Sequence, residues 1–183
     1  MNSRLNFKNE SVVKKISSLS DTKDEVQRLY KKAKDLCKCG KFSQAIFYLD
    51  KVINADPCNC DAILQKGIAL YKLDSYHEAI CCFDAVLQKE PKNSDALYFE
   101  AESWFYLGEF YHAIIFYDKA IDVDRLDCAA ILGKAVSLYR LGRCESAVKL
   151  LDNILDINPK DYDALLWKNH LINLQGKKAR MYA

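Results

Sequence analysis

From Ser94 onward, apolar residues return at Leu97, Ala101, Trp104 and Leu107, in three- and four-residue steps that place them on one stripe of a helix ending before Gly108. Glycine supplies the left-handed backbone that closes a helix at little cost. A second stripe follows at once, through Phe110, Ala113, Ile114, Tyr117, Ala120 and Ile121. The stretch therefore predicts a helix, a tight turn and a second helix lying back against the first.

The pattern recurs with a period of 34. Small residues stand at Ala33, Gly67, Ala101 and Ala135, and again at Ala45, Ala79, Ala113 and Ala147. Turn residues recur at Gly40, Asp74, Gly108, Gly142 and Gly176, and prolines at Pro57, Pro91 and Pro159, with Arg125 in the vacant place. Where two antiparallel helices cross closely, a side chain larger than methyl forces the axes apart, which explains the alanines. Each proline, with its fixed φ and missing N–H, stops a second helix before the next unit starts.

With these residues the chain resembles the tetratricopeptide repeat family. Four full units span 26–59, 60–93, 94–127 and 128–161, and a single capping helix is expected over 162–175, where Asn169 replaces the small residue. The resemblance implies an all-α fold, a right-handed α-solenoid of antiparallel helix hairpins with about four and a half repeats. Residues 1–25 form an N-terminal extension in which Asn9 is placed to cap a short helix bearing Val12, Val13, Ile16 and Leu19. The array covers 26–174, and 176–183 is expected to be a basic tail.

Composition narrows the function. The 183 residues are 50% hydrophobic and 28% charged, with 6 Gly and 3 Pro, which excludes collagen-like and disordered chains. The net charge of +2 leaves no footprint for nucleic acid, and the one basic cluster is Lys177, Lys178 and Arg180. No apolar run reaches the roughly 20 residues that span a bilayer, so membrane insertion is not expected. The polar, mixed-charge stretch from Met1 to Lys15 fits neither a secretory signal nor a transit peptide, and a cytoplasmic location is expected.

Chemistry finds little purchase. The eight cysteines fall as Cys37 and Cys39, Cys58 and Cys60, Cys81 and Cys82, and the separate Cys128 and Cys144. The first two pairs lie at opposite ends of a hairpin and cannot share a zinc, so no metal is expected, and in a reduced compartment all eight stay thiols. His77, His112 and His170 stand in no nucleophile arrangement, and no phosphate-binding glycine loop occurs. Neither an enzyme nor a cofactor is expected.

What remains is surface. In the family the first helix of each hairpin lines a concave face, and continuing the period assigns to that lining Tyr30, Lys34, Leu64, Ile68, Tyr71, Tyr98, Phe99, Glu102, Phe105, Tyr106, Val136, Tyr139, Arg140 and Trp167. This apolar content implies a scaffold or adaptor that binds an apolar or amphipathic peptide segment of another protein, helical or extended, with Lys31, Lys34 and Lys38 receiving acidic residues at one end. The basic and amide clamp that holds a partner's terminal carboxylate in related proteins maps to Tyr30, Lys34, Gln65, Asp95 and Phe99. Only Lys34 fits, so a chaperone tail is not the expected ligand. Two other readings stand beside this one. The first is a self-associating module, a homodimer through the N-terminal helix or terminal repeat. The second is an RNA-binding helical repeat, against which Asp61, Asp95, Glu102 and Asp163 offset the lysines.

Overall fold

The computed structural model describes residues 23–181, with side chains as far as Leu174. Among the described residues every regular element is a helix: α1 (23–38), α2 (Phe42–Ala55), α3 (Cys60–Tyr71), α4 (Tyr76–Leu87), α5 (Ser94–Tyr106), α6 (Phe110–Val123), α7 (Cys128–Arg140), α8 (Cys144–Ile157) and α9 (Tyr162–Met181). The expected N-terminal helix on residues 9–19 lies outside the described residues. Two compact units divide the chain, one through Asp74 and one from Ser75.

Local chemistry fixes the ends of the helices. Gly40, Gly108 and Gly142 adopt φ of 71°, 83° and 77°, and Asp74, in the same place of the period, adopts 59°. Behind the three glycines the next amide reaches back over the turn, Lys41 N to Leu36 O at 2.9 Å, Glu109 N to Trp104 O at 3.0 Å and Arg143 N to Leu138 O at 2.9 Å. These are Schellman closures, which satisfy carbonyls that the helix end leaves open.

The first helices of the later hairpins start on Asn59, Asn93, Asp127 and Asp161. Their side chains accept from the amides of Ala62, Ala96, Ala130 and Ala164 at 2.9, 3.0, 3.0 and 2.9 Å. The junction carrying Arg125 keeps the turn of the proline-bearing ones. Asp127 N donates to Asp124 O at 3.2 Å and Leu126 N to the Asp124 carboxylate at 2.9 Å. Asp124 sits at φ −133°, ψ 104°, close to Asn158 at −132°, 92° ahead of Pro159.

In the first unit, Ala33, Ala45, Leu49, Val52 and Ala62 form one buried cluster, with Val26, Leu29, Tyr30 and Leu36 packed on it. Two of the clusters lie in the second unit. One joins Leu97, Ala101, Ala113, Tyr117, Ala120 and Ala130, and the other Ile131, Ala135, Leu138, Ala147, Leu151, Ile154, Ala164 and Leu171. Each large side chain so buried contributes about 1.5–3 kcal/mol. The alanines of the period are all buried, as close helix crossing requires.

A ladder of ion pairs ties second helices to the following first helices: Lys66 to Asp50 at 2.6 Å, Lys134 to Asp118 at 2.5 Å and Lys168 to Asp152 at 2.6 Å. The period demands a fourth rung between Asp84 and residue 100, and there the lysine is replaced by Glu100. Glu100 is 1% exposed, and its Oε2 and the indole Nε1 of Trp104 are both buried without a hydrogen bond of ordinary geometry among the described residues. Burial first, then the Asp84 carboxylate, push its carboxyl from the ordinary 4.5 up to about 8, against the weaker pull of the nearby Trp104 indole and Lys119.

The last helix corrects one boundary. α9 runs on through Gly176 as far as Met181, inside the stretch read as a tail. One glycine inside a helix costs about 1 kcal/mol and does not end it, and Lys177, Lys178, Ala179 and Arg180 are good helix formers.

Candidate binding groove

Within the second unit, the first helices α5, α7 and α9 share one open cavity of about 520 Å³. Tyr98, Glu102, Phe105 and Tyr106 reach it from α5, Val136 and Arg140 from α7, and Trp167 from α9. Helical steps of three and four put these side chains on one face. Ala129, Leu132, Gly133 and Asp163 complete the walls, with Tyr117 from the second helix α6.

Tyr117 has no place among the lining residues read from the sequence, where it belongs to the inward stripe of its helix. It enters because of Gly133. A Cβ at residue 133 would lie 2.3–2.6 Å from the Tyr117 ring and hydroxyl, so only glycine lets the ring cross. The Tyr117 hydroxyl then donates to the Glu102 carboxylate, which fixes that acid on the groove wall. One period earlier the same two places hold Phe83 and Phe99, stacked at 6.2 Å. The exchange of an aromatic for glycine at position 133, beside an aromatic at 117, was the sequence signal.

The remaining assignments divide. Phe99 does not line this cavity; it lies against Phe83 and edge-on to Tyr98. Tyr139 packs on Trp167 and His170 at about 6 Å and faces a separate cavity of about 650 Å³ bounded by Gly142, Arg143, Cys144 and Leu174. Tyr30, Lys34, Leu64, Ile68 and Tyr71 belong to the first unit. There Leu64 is buried, Lys34 stands 5.5 Å over the Tyr30 ring, and Ile68 and Tyr71 are half-buried.

The groove is electrostatically uneven. Burial first, then Glu102, Asp127 and Tyr106, push the Tyr98 hydroxyl up to about 12, so it stays a neutral donor at physiological pH. Arg140 lies 5.8 Å from the Phe105 ring and 6.0 Å from Phe110, whose rings meet edge to face. Tyr106 stacks on Tyr76 at 5.3 Å yet remains 55% exposed. Burial raises the Cys37 and Cys128 thiols, which disfavours the nucleophilic thiolate there. Among the described residues no group of three or more His, Cys, Asp or Glu side chains is placed to hold a metal ion, and no helix is long and apolar enough to cross a membrane.

Helix, closing turn, helix and capped junction, repeated with one period and with first helices lining a groove, define the class as an all-α solenoid of helix hairpins with about four and a half repeats. A family model described as anaphase-promoting complex, cyclosome, subunit 3, matches residues 38–120 and, in a second register, 74–154, together more than half of the chain. The chain belongs to this family, whose repeat is of the tetratricopeptide type.

Solved structures agree on the fold. MamA (residues 41 to the end) from Desulfovibrio magneticus RS-1 superposes with a TM-score of 0.71 at 20% identity, over 75% of this chain and 77% of that one. YrrB, titled a TPR protein with an unusual peptide-binding site, gives 0.72 at 17% identity, over 88% and 83%. The first TPR of Spaghetti (RPAP3), bound to the HSP90 peptide SRMEEVD, gives 0.61 at 21% identity, over 64% and 93%. A comparison with curated proteins gives no match.

Proposed function

We propose that this protein is an interaction scaffold whose second unit binds an apolar or amphipathic segment of another protein between α5, α7 and α9. One observation carries the reading: an open cavity of about 520 Å³ whose walls include Phe105, Tyr106, Val136 and Trp167. Aromatic and aliphatic surface gathered in a concavity is unfavourable to leave in water and suits rigid anchoring of a partner. The peptide-binding site of YrrB and the HSP90 peptide bound to the RPAP3 repeat support the same use of this fold. A protein partner in the cytoplasm, rather than nucleic acid or a membrane, belongs to this reading. So does a ligand other than a chaperone tail, because four of the five clamp places hold unsuitable residues.

The test is selection of a displayed random twelve-residue peptide library on the purified protein. Enrichment of apolar sequences is expected, and its loss in Tyr106→Ala combined with Val136→Asn while far-UV helicity is unchanged. Selection that ignores the double variant would overturn the reading.

Self-association through the terminal repeat has an observation of its own. Leu165 and Ile172 of α9 are 39% and 47% exposed, whereas Ile131 and Leu138, one period earlier, are 5% and 6% exposed. Light scattering distinguishes this reading, since mass doubling that Leu165→Lys abolishes would favour a homodimer.

A further inference from the structure

We infer that the groove selects a segment whose side chains run basic, apolar, acidic, with the basic residue at the Asp163 end, the acidic one at the Arg140 end, and the two about five positions apart. This rests on the reading that the groove holds a peptide, and names what distinguishes its ligand.

The charges in the lining are ordered along the helices. Asp163 stands in the first turn of α9, one period after Ala129 in the first turn of α7. Arg140 ends α7, and both Ala129 and Arg140 face the cavity, so it runs the length of that helix. Eleven residues at 1.5 Å of rise separate the two levels by about 16 Å. Glu102, one period before Val136, lies between the two levels and nearer that of Arg140, with its carboxylate engaged by the Tyr117 hydroxyl. Burial first, then Glu102 and Asp127, raise the pKa of the Tyr98 hydroxyl on the same wall.

At the other end, the Arg140 guanidinium lies 5.8 Å from the Phe105 ring and 6.0 Å from the Phe110 ring. A guanidinium held beside aromatic rings has five N–H donors, more than ring contacts use, and can offer a pair of them to a carboxylate. Between the poles, apart from Glu102, stand the uncharged side chains of Leu132, Val136 and Trp167. An extended strand advances about 3.3 Å per residue, so a span of about 16 Å is crossed in about five residues. An extended peptide of either chain direction satisfies the pattern, because the groove fixes which charge lies where and not which end enters first.

The experiment repeats the library selection on the wild-type protein, on Arg140→Glu and on Asp163→Lys, each checked for unchanged helicity. The wild type is expected to enrich apolar sequences with a Lys or Arg and an Asp or Glu about five positions apart. A synthetic peptide from that pool should bind Arg140→Glu roughly three- to tenfold more weakly, the loss of one partly exposed ion pair together with a like-charge contact. Changing its acidic residue to lysine should restore affinity for Arg140→Glu and not for Asp163→Lys. Enriched apolar peptides with no charge pair, or a pool that Arg140→Glu leaves unaltered, would overturn the selection rule and leave the groove reading standing. Absence of any enriched sequence would overturn both.

Discussion

Glu100 makes a quantitative prediction about stability. The folded chain holds its proton up to about pH 8, whereas an unfolded chain releases it near 4.5. Between these values the native state binds one more proton than the unfolded state, so stability falls by about 1.4 kcal/mol per pH unit as pH rises, and levels off above about 8. From pH 6 to pH 8 the loss is about 2 kcal/mol, a large share of a marginal total. Glu100→Gln keeps the shape and removes the titration, and its amide can donate toward Asp84. Urea unfolding followed by far-UV circular dichroism at pH 6, 7 and 8 should show the wild type losing ground to Glu100→Gln by that amount. Asp84→Asn, which removes the second cause, should recover part of it. Parallel pH profiles for wild type and Glu100→Gln would refute the reasoning, because they would mean that this carboxyl titrates alike folded and unfolded.

Further consequences follow from the packing. Gly133→Ala should destabilise by about 1–3 kcal/mol in a thermal melt, since its Cβ falls 2.3–2.6 Å from Tyr117. Combination with Tyr117→Leu, the residue type at Leu49 and Leu151, should cost less than the sum of the two changes. Arg125→Pro should raise stability by about 0.5–1 kcal/mol, because Asp124 already has the extended backbone that precedes a proline; a drop in melting temperature would show the junction to differ from its neighbours. Asp127→Ala should cost about 1 kcal/mol by removing the cap on Ala130 N, measurable as a lower urea midpoint.

The regularities of this molecule are short-range, which is why a period of 34 exposes them. A turn glycine such as Gly108, a cap such as Asn93 and an alanine such as Ala113 each act within a turn or at one crossing, so their spacing alone lays out the hairpins. Through the same period Tyr98, Glu102, Phe105, Tyr106, Val136, Arg140 and Trp167 fall on one series of first helices, and the structure gathers them at one cavity. Phe99 and Tyr139 occupy comparable places in the period but turn toward Phe83 and Trp167.

The amino-acid sequence by itself determined the helices of the hairpins, the turns that close them and the face each one presents, because those follow from residues a few positions apart; it did not give the end of α9, which runs past Gly176. Tertiary structure alone decided how the rings fill the space between hairpins. Whether an aromatic side chain points into the groove or against a neighbouring helix depends on the volume opposite it, as Gly133 opposite Tyr117 and Phe99 opposite Phe83 illustrate. It also decided the proton on Glu100, since a carboxyl keeps that proton near neutrality only when burial takes its water away and a second acid faces it.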